Sequence, residues 1–373
     1  MEMERLRDTI KLALCGDVML GRGIDQILPH PCDPRLYEGH ARSALDYVAM
    51  AERAHGPVRR PVEFAYVWGD ALSALEQAKP DVRIINLETS VTRRGRPAPK
   101  GVNYRMSPEN IGCLSAAKID CCTLANNHVL DWGPVGLLDT LQALENAQVR
   151  VVGAGNTAAR AVAPIVLGTS AGGTVIVFGF ATESSGIPAG WAAGPNKPGV
   201  SFLHDLSKKT ALGIAALARP LKRPGVALIA SIHWGENWGY PVPDEQRQFA
   251  HALIDEAGFD LIHGHSSHHP KAMEVYRDRL ILYGCGDFLN DYEGIAMIEP
   301  FRDDLAVLYL PLLLSDGTLL ACEMQLFEIY NFRLRHASIG NLKSVQRTLD
   351  RESTKFGARV ELLTGTRLTL HWH

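Results

Sequence analysis

Six short apolar runs in this chain each stop on side chains that ligate metal ions, and no other feature limits its fold as tightly. The stops are Asp17 in Cys15-Gly16-Asp17-Val18-Met19-Leu20-Gly21-Arg22, Glu88 in Asn86-Leu87-Glu88, and Asn127 with His128 in Ala125-Asn126-Asn127-His128. His233-Trp234-Gly235-Glu236 follows, then His263-Gly264-His265-Ser266-Ser267-His268-His269, then Gly284-Cys285-Gly286-Asp287-Phe288. Open α/β sheets gather the carboxyl ends of their parallel strands along one rim, where ligands bind. Repeated ligand chemistry at strand ends therefore predicts an α/β protein with a metal centre on that rim.

The rest of the pattern agrees. Apolar runs at Lys11–Cys15, Val82–Leu87, Asp120–Leu124, Thr174–Phe180, Val226–Ile232 and Asp260–Ile262 alternate with longer helical stretches, the βαβ signature. Helical spacing is clearest in Gly133–Gln148 and in Asp244–Ala257, where Asp244 is the expected N-cap. Met273–Tyr276 and Leu280–Gly284 read as a hairpin around Arg277-Asp278-Arg279. Two stretches, Pro29–Pro61 and Glu183–Gly199, read as long binding loops, the second carrying Trp191. After Asp303 come β-like runs at Leu305–Leu314 and Leu319–Ile329, a helix over Ile339–Glu352 and a last strand pair. The expected division is a catalytic domain over residues 10–300 and a β-rich extension over 301–373, packed on the same core.

Composition narrows the setting. A formal net charge of −3 gives no basic face for nucleic acid. The charged Met1–Thr9 start lacks a signal-peptide core, and no run is long enough to span a membrane. Seven cysteines with no Cys-x-x-Cys pair suggest buried thiols in a reducing, cytoplasmic compartment. The expected partner is a peptide or small molecule; oligomeric state is left open.

Each ligand-type residue has an ordinary role when taken singly. Asp17 is a possible helix N-cap, Glu88 a solvated charge, and His233 a satisfied core imidazole beside packed Trp234 and Trp238. Four His within seven residues after a buried strand, together with the ordered series before them, outweigh those readings. Carboxylates compensate the charge of a cation, and neutral imidazoles add nitrogen donors without adding charge. One or two divalent ions are expected; the donor set admits Mn, Zn, Fe, Mg or Ca.

Together the motifs from Gly16–Arg22 to His233-Trp234-Gly235 resemble the CapA family of poly-γ-glutamate capsule synthesis, within the calcineurin-like metallophosphatase superfamily. The resemblance runs from Lys11 to about Asn290 and implies a four-layer α/β/β/α sandwich. It implies Asp17, Glu88, Asn127, His233 and His265 as metal ligands, with His268 where the last motif His falls. It implies His128 as a general acid or base that is not a ligand, with Asp131 orienting it. Three departures from the usual pattern stand out. Met19 replaces a superfamily His, which weakens one of two ion positions. Ser266-Ser267 loosens the assignment between His268 and His269, and Asp287 replaces an Asn.

Three activities suit such a site. Phosphoester hydrolysis needs a well-formed ion pair and cationic clamps, for which Arg22, Arg93, Arg94 and Arg96 are the candidates. A capsule-related role is the family's namesake. The favoured expectation is epimerisation of the Cα centre of a C-terminal residue in a ribosomal (lasso-type) precursor peptide. Inversion needs a proton donor and acceptor on opposite faces, and imidazoles titrate near working pH. His128 on one face with His268 or His269 on the other would serve, while Arg22, Trp191 and Trp234 are the expected substrate-binding residues. A degenerate binding module is the non-enzymatic alternative.

Overall fold

The computed structural model describes residues 9–295 and 300–373, so the charged Met1–Asp8 start lies outside the described residues. Strands covered on both faces read as near-continuous apolar runs, and these runs form parallel sheet centres. β1 (Thr9–Val18), β2 (Val82–Leu87), β3 (Cys121–Thr123) and β4 (Arg150–Val152) are parallel neighbours in that order. β5 (Thr174–Thr182), β6 (Val226–His233) and β7 (Leu261–His265) form the parallel centre of a second sheet. That sheet continues through the hairpin of β8 (Met273–Tyr276) and β9 (Arg279–Leu282). Arg277 and Asp278 take φ of 49° and 60° at its turn, the conformation that matches the twist of the flanking strands.

The chain then returns to the first sheet. β10 (Asp287–Leu289) pairs in parallel with the end of β1, setting Asp287 opposite Asp17. β11 (Leu305–Leu314) pairs antiparallel with the start of β1, and β12 (Leu319–Tyr330) pairs with β11. β13 (Ala358–Leu362) and β14 (Arg367–Trp372) complete the order β13-β14-β12-β11-β1-β2-β3-β4. The β-rich C-terminal region thus extends the first sheet by direct hydrogen bonding to β1.

Alternation along the strands sets the layers. Leu12 and Leu14 of β1 pack in one cluster with Ile84, Val175, Val177 and Ile229, which joins the inner faces of the two sheets. The opposite face of the first sheet, with Ala13, Ile85 and Cys122, packs under helices. These are α1 (Ala44–His55), α2 (Asp70–Ala78) and α3 (Gly133–Asn146), through residues such as Val48, Leu75 and Leu144. The outer face of the second sheet, with Phe178, Leu228 and Ile262, packs under α4 (Lys208–Ala218) and α5 (Asp244–Ala257). This is the expected four-layer α/β/β/α sandwich, and α6 (Ile339–Thr354) packs beside the C-terminal strands.

Two local expectations are corrected. Pro29–Pro61 contains α1, nucleated by a capping box: Ser43 Oγ accepts from Leu45 N–H, and Asp46 accepts from Ser43 N–H at 3.1 Å. Pro243, not Asp244, is the N-cap of α5; Asp244 is its first helical residue and favours the positive end of the helix dipole instead. Among the described residues no helix is long and apolar enough to cross a membrane, and all seven cysteines are free and buried.

Candidate metal centre

Because β1 and β2 run parallel, as do β6 and β7, their carboxyl ends meet where the two sheets face each other. Register places Asn86 and Asp287 beside Asp17, and His265 beside His233. Two groups that could hold a metal ion result: one atom each from Asp17, His233 and His265 lie within 4.8 Å of one another, as do atoms from Asp17, His268 and Asp287. Asp17 belongs to both. Asn127 Oδ1 stands 3.1 Å from His233 Nε2, and His233 Nδ1 stands 2.8 Å from His265 Nδ1. Glu88 flanks the first group, linked through Asn86, whose Nδ2 donates to Asp17 Oδ1 at 2.7 Å and Glu88 Oε2 at 3.2 Å. Thr123 Oγ1 and Asn126 Nδ2 both donate to Asn86 Oδ1 at 3.0 Å, which fixes that amide.

The rim is held by unusual backbone. Ser266 takes φ of 107°, a costly conformation for a residue with a side chain, and its N–H donates to Asp17 Oδ2 at 3.2 Å. Asn126 Oδ1 accepts from the N–H groups of His128 and Val129 at 3.1 and 3.0 Å, shaping the turn that presents His128.

Buried carboxylates without a counter-charge resist ionisation. Burial, then the neighbouring Asp287, raises Asp17 to about 7; burial, then Asp17, holds Glu88 well above the usual range. Burial also keeps His233 and His265 far below ordinary imidazoles, so both offer neutral nitrogen. Buried oxygen and imidazole donors that lack charge compensation fit a divalent cation.

The electrostatics set a pH dependence. Asp17 has a folded pKa above its unfolded value of about 3.9, so its contribution to the metal-free fold is fully present below that value. It is lost as pH rises through about 7. A bound cation favours the ionised form and reverses the trend. The rise in melting temperature on adding Mn²⁺ is therefore expected to be larger at pH 8 than at pH 5.5. Equal shifts at the two pH values would contradict this assignment of Asp17.

Two His–Asp dyads flank the ligands. His128 Nδ1 lies 2.6 Å from Asp131 Oδ2, and its Nε2 lies 3.7 Å from Glu88 Oε1. Burial lowers His128 to about 4 despite Asp131, leaving a neutral imidazole. Asp131 also accepts from Lys100 Nζ at 2.8 Å and Tyr104 N–H at 2.6 Å. At the other end, His268 Nδ1 lies 2.9 Å from Asp287 Oδ1. Burial opposes the charged form of His268, but Asp287, joined by Asp17 and Asp303, outweighs it and raises the pKa.

Other candidates lie elsewhere. The Arg22 guanidinium is buried and fully engaged by Asp291, Glu38, Tyr47 and Tyr104, so it is not presented to substrate. Trp234 is core: its Nε1–H donates to Tyr283 O at 3.0 Å. His269 spends its ring nitrogens on Gly239 N–H and the Pro270 backbone and stacks on Phe301, away from the ligand groups. Arg93 and Arg94 pair with Glu109 and Asp139. Trp191 is half-buried, its ring 5.6 Å from Lys100 Nζ beside the His128 dyad. Asn86, Lys100, Tyr104 and Tyr292 were not expected at the site. Asn86 lies inside the Asn86-Leu87-Glu88 motif, whereas the others sit on irregular segments with no periodic signal.

The bacterial capsule synthesis protein PGA_cap family model matches residues 11–292. A probable polyglutamine synthesis accessory protein of Mycobacterium tuberculosis is 46% identical over 358 residues, 95% of this chain and 93% of that protein. The PGA biosynthesis protein CapA of Bacillus subtilis is 29% identical over 76% of this chain and 64% of its own length. The crystal structure of a 5'-nucleotidase precursor from Thermus thermophilus superposes with a TM-score of 0.45 at 14% identity, covering 92% of this chain and 58% of that one. The matched segment spans the strand ends from Asp17 to Asp287 that build the centre, and the chain belongs to the bacterial capsule synthesis protein (PGA_cap, CapA-like) family.

Proposed function

We propose that this chain is a metal-dependent acid–base enzyme that inverts the Cα centre beside a free carboxylate in a peptide-type substrate. The observation that carries the reading is the pair of dyads, His128–Asp131 and His268–Asp287, at the two ends of the row Glu88–Asn86–Asp17. Neutral His128 accepts the Cα proton through Nε2, while Asp131 holds Nδ1–H and stabilises the imidazolium that forms. Protonated His268, held by Asp287, returns a proton to the other face of the planar carbon. Asp17, Glu88, Asn127, His233 and His265 would hold a divalent cation, which as a Lewis acid stabilises charge developing on the substrate carboxylate. Lys100 pairs with Asp131, and the Trp191 ring lies beside that lysine.

The substrate classes follow from the chemistry. The C-terminal residue of a ribosomal (lasso-type) peptide has a free carboxylate beside its Cα–H, and so does every residue of a γ-linked glutamate chain. The relatives named for polyglutamine and PGA synthesis support the second class. They also favour a second reading, metal-assisted cleavage of an amide in such a polymer. Phosphoester hydrolysis has less support, since Arg22, Arg93 and Arg94 are paired with carboxylates. Free buried thiols support a cytoplasmic location.

Incubation with a γ-glutamyl oligomer and a C-terminally free peptide in deuterated water separates the readings. Inversion is expected to add one mass unit at Cα without chain shortening. Shorter products without deuterium at Cα would establish amide hydrolysis instead.

A further inference from the structure

A hydrogen-bond relay of three buried or half-buried side chains ends at the metal centre on a donor without a strong acceptor. Arg22 has only donors, and its Nη2 donates to Tyr104 Oη at 2.8 Å. Tyr104 then sends its single proton to Tyr292 Oη at 3.1 Å. The remaining proton of that relay, on Tyr292, faces Met19 Sδ at 3.6 Å. A thioether is a weak acceptor.

The relay also spans the site. The Tyr104 ring meets His128 edge-on at 4.5 Å, and the Tyr292 ring meets His268 edge-on at 5.6 Å. Tyr292 as a whole is half-buried, with its hydroxyl between Tyr104 and Met19. Arg22 is clamped by Asp291, the residue before Tyr292, through Nε at 3.1 Å and Nη2 at 2.5 Å, which ties the far end of the relay to the same segment.

We propose that Tyr292 Oη–H donates a hydrogen bond to a carboxylate oxygen of the substrate, exchanging the Met19 thioether for an anionic acceptor. Tyr104 and Arg22 are positioning residues that aim it. The inference deepens the function proposed above, on which the identity of the carboxylate rests, but the donor itself is testable without turnover. Loss of a hydrogen bond to a charged acceptor weakens binding roughly tenfold or more.

The probe is oxalate, a planar dicarboxylate, titrated calorimetrically into the Mn²⁺-loaded chain. Tyr292→Phe is expected to weaken oxalate binding at least tenfold with metal content and melting temperature unchanged. Tyr104→Phe, which leaves the Tyr292 hydroxyl in place but unaligned, is expected to give a smaller loss. Oxalate affinity unchanged in Tyr292→Phe, or no oxalate binding by the wild-type chain, overturns the proposal, as does a loss that tracks lost metal. Tyr292-dependent oxalate binding without deuterium uptake at Cα of the γ-glutamyl oligomer or the C-terminally free peptide would sustain the donor and refute epimerisation, so the two failures are distinct.

Discussion

An Asp17→Asn chain is expected to keep no divalent ion through dialysis and to show no turnover. Asp17 is the single residue common to both ligand groups, so its loss removes an anionic donor from each. Disturbing even the partners of metal ligands costs about 10–100-fold in affinity, and deletion of a shared ligand costs more. The fold is expected to survive. An Asn carbonyl can still accept from Asn86 Nδ2, and the substitution removes a carboxyl whose ionisation burial opposes. Ser266 N–H loses its acceptor or meets the new amide nitrogen, a penalty of about 1–3 kcal/mol that partly offsets this gain. Circular dichroism checks that the chain is folded before its metal is measured.

His128→Ala is expected to behave oppositely, losing turnover by about 10²–10⁴-fold while metal content stays at the wild-type level. His128 belongs to neither ligand group, and its Nε2 faces Glu88 at 3.7 Å while Nδ1 is taken by Asp131. Removing the ring leaves Asp131 paired with Lys100 and bonded to Tyr104 N–H, so the loop around it keeps its anchors. Single-turnover deuterium exchange and elemental analysis on the same preparation check both halves. Metal lost along with turnover would make His128 a ligand and remove the acceptor from the proposed chemistry.

The strands and the ligand-type residues at their ends were legible in the sequence from local rules, whereas the four-layer sandwich and the choice of ligands came from the resemblance to the CapA family. Parallel strands covered on both faces must be apolar, and their ends converge on one rim, which is why Asp17, His233 and His265 stood out at strand ends. The alternation of His263 and His265 along β7 puts both rings on one face, where Ser231 contacts each, at 3.0 and 2.9 Å. The roles of Trp234 and Arg22 were not legible. An aromatic or a cation next to a motif is equally compatible with substrate and with core, and only tertiary packing against Tyr283 or Asp291 decides. Lys100, Tyr104 and Tyr292 reach the dyads from irregular segments distant in sequence, where no periodicity marks a side chain as facing the site. The helix at Ala44–His55 carried its capping box in plain view, but the surrounding Pro, His and Arg residues masked its short amphipathic run.

Elemental analysis of the wild-type and Asp17→Asn chains, purified and dialysed side by side, tests the central claim most directly. A buried centre built on Asp17, His233 and His265 requires at least one divalent ion per wild-type chain and none in the variant. Equal metal in both, or full turnover by a wild-type chain freed of metal by chelation, would contradict it.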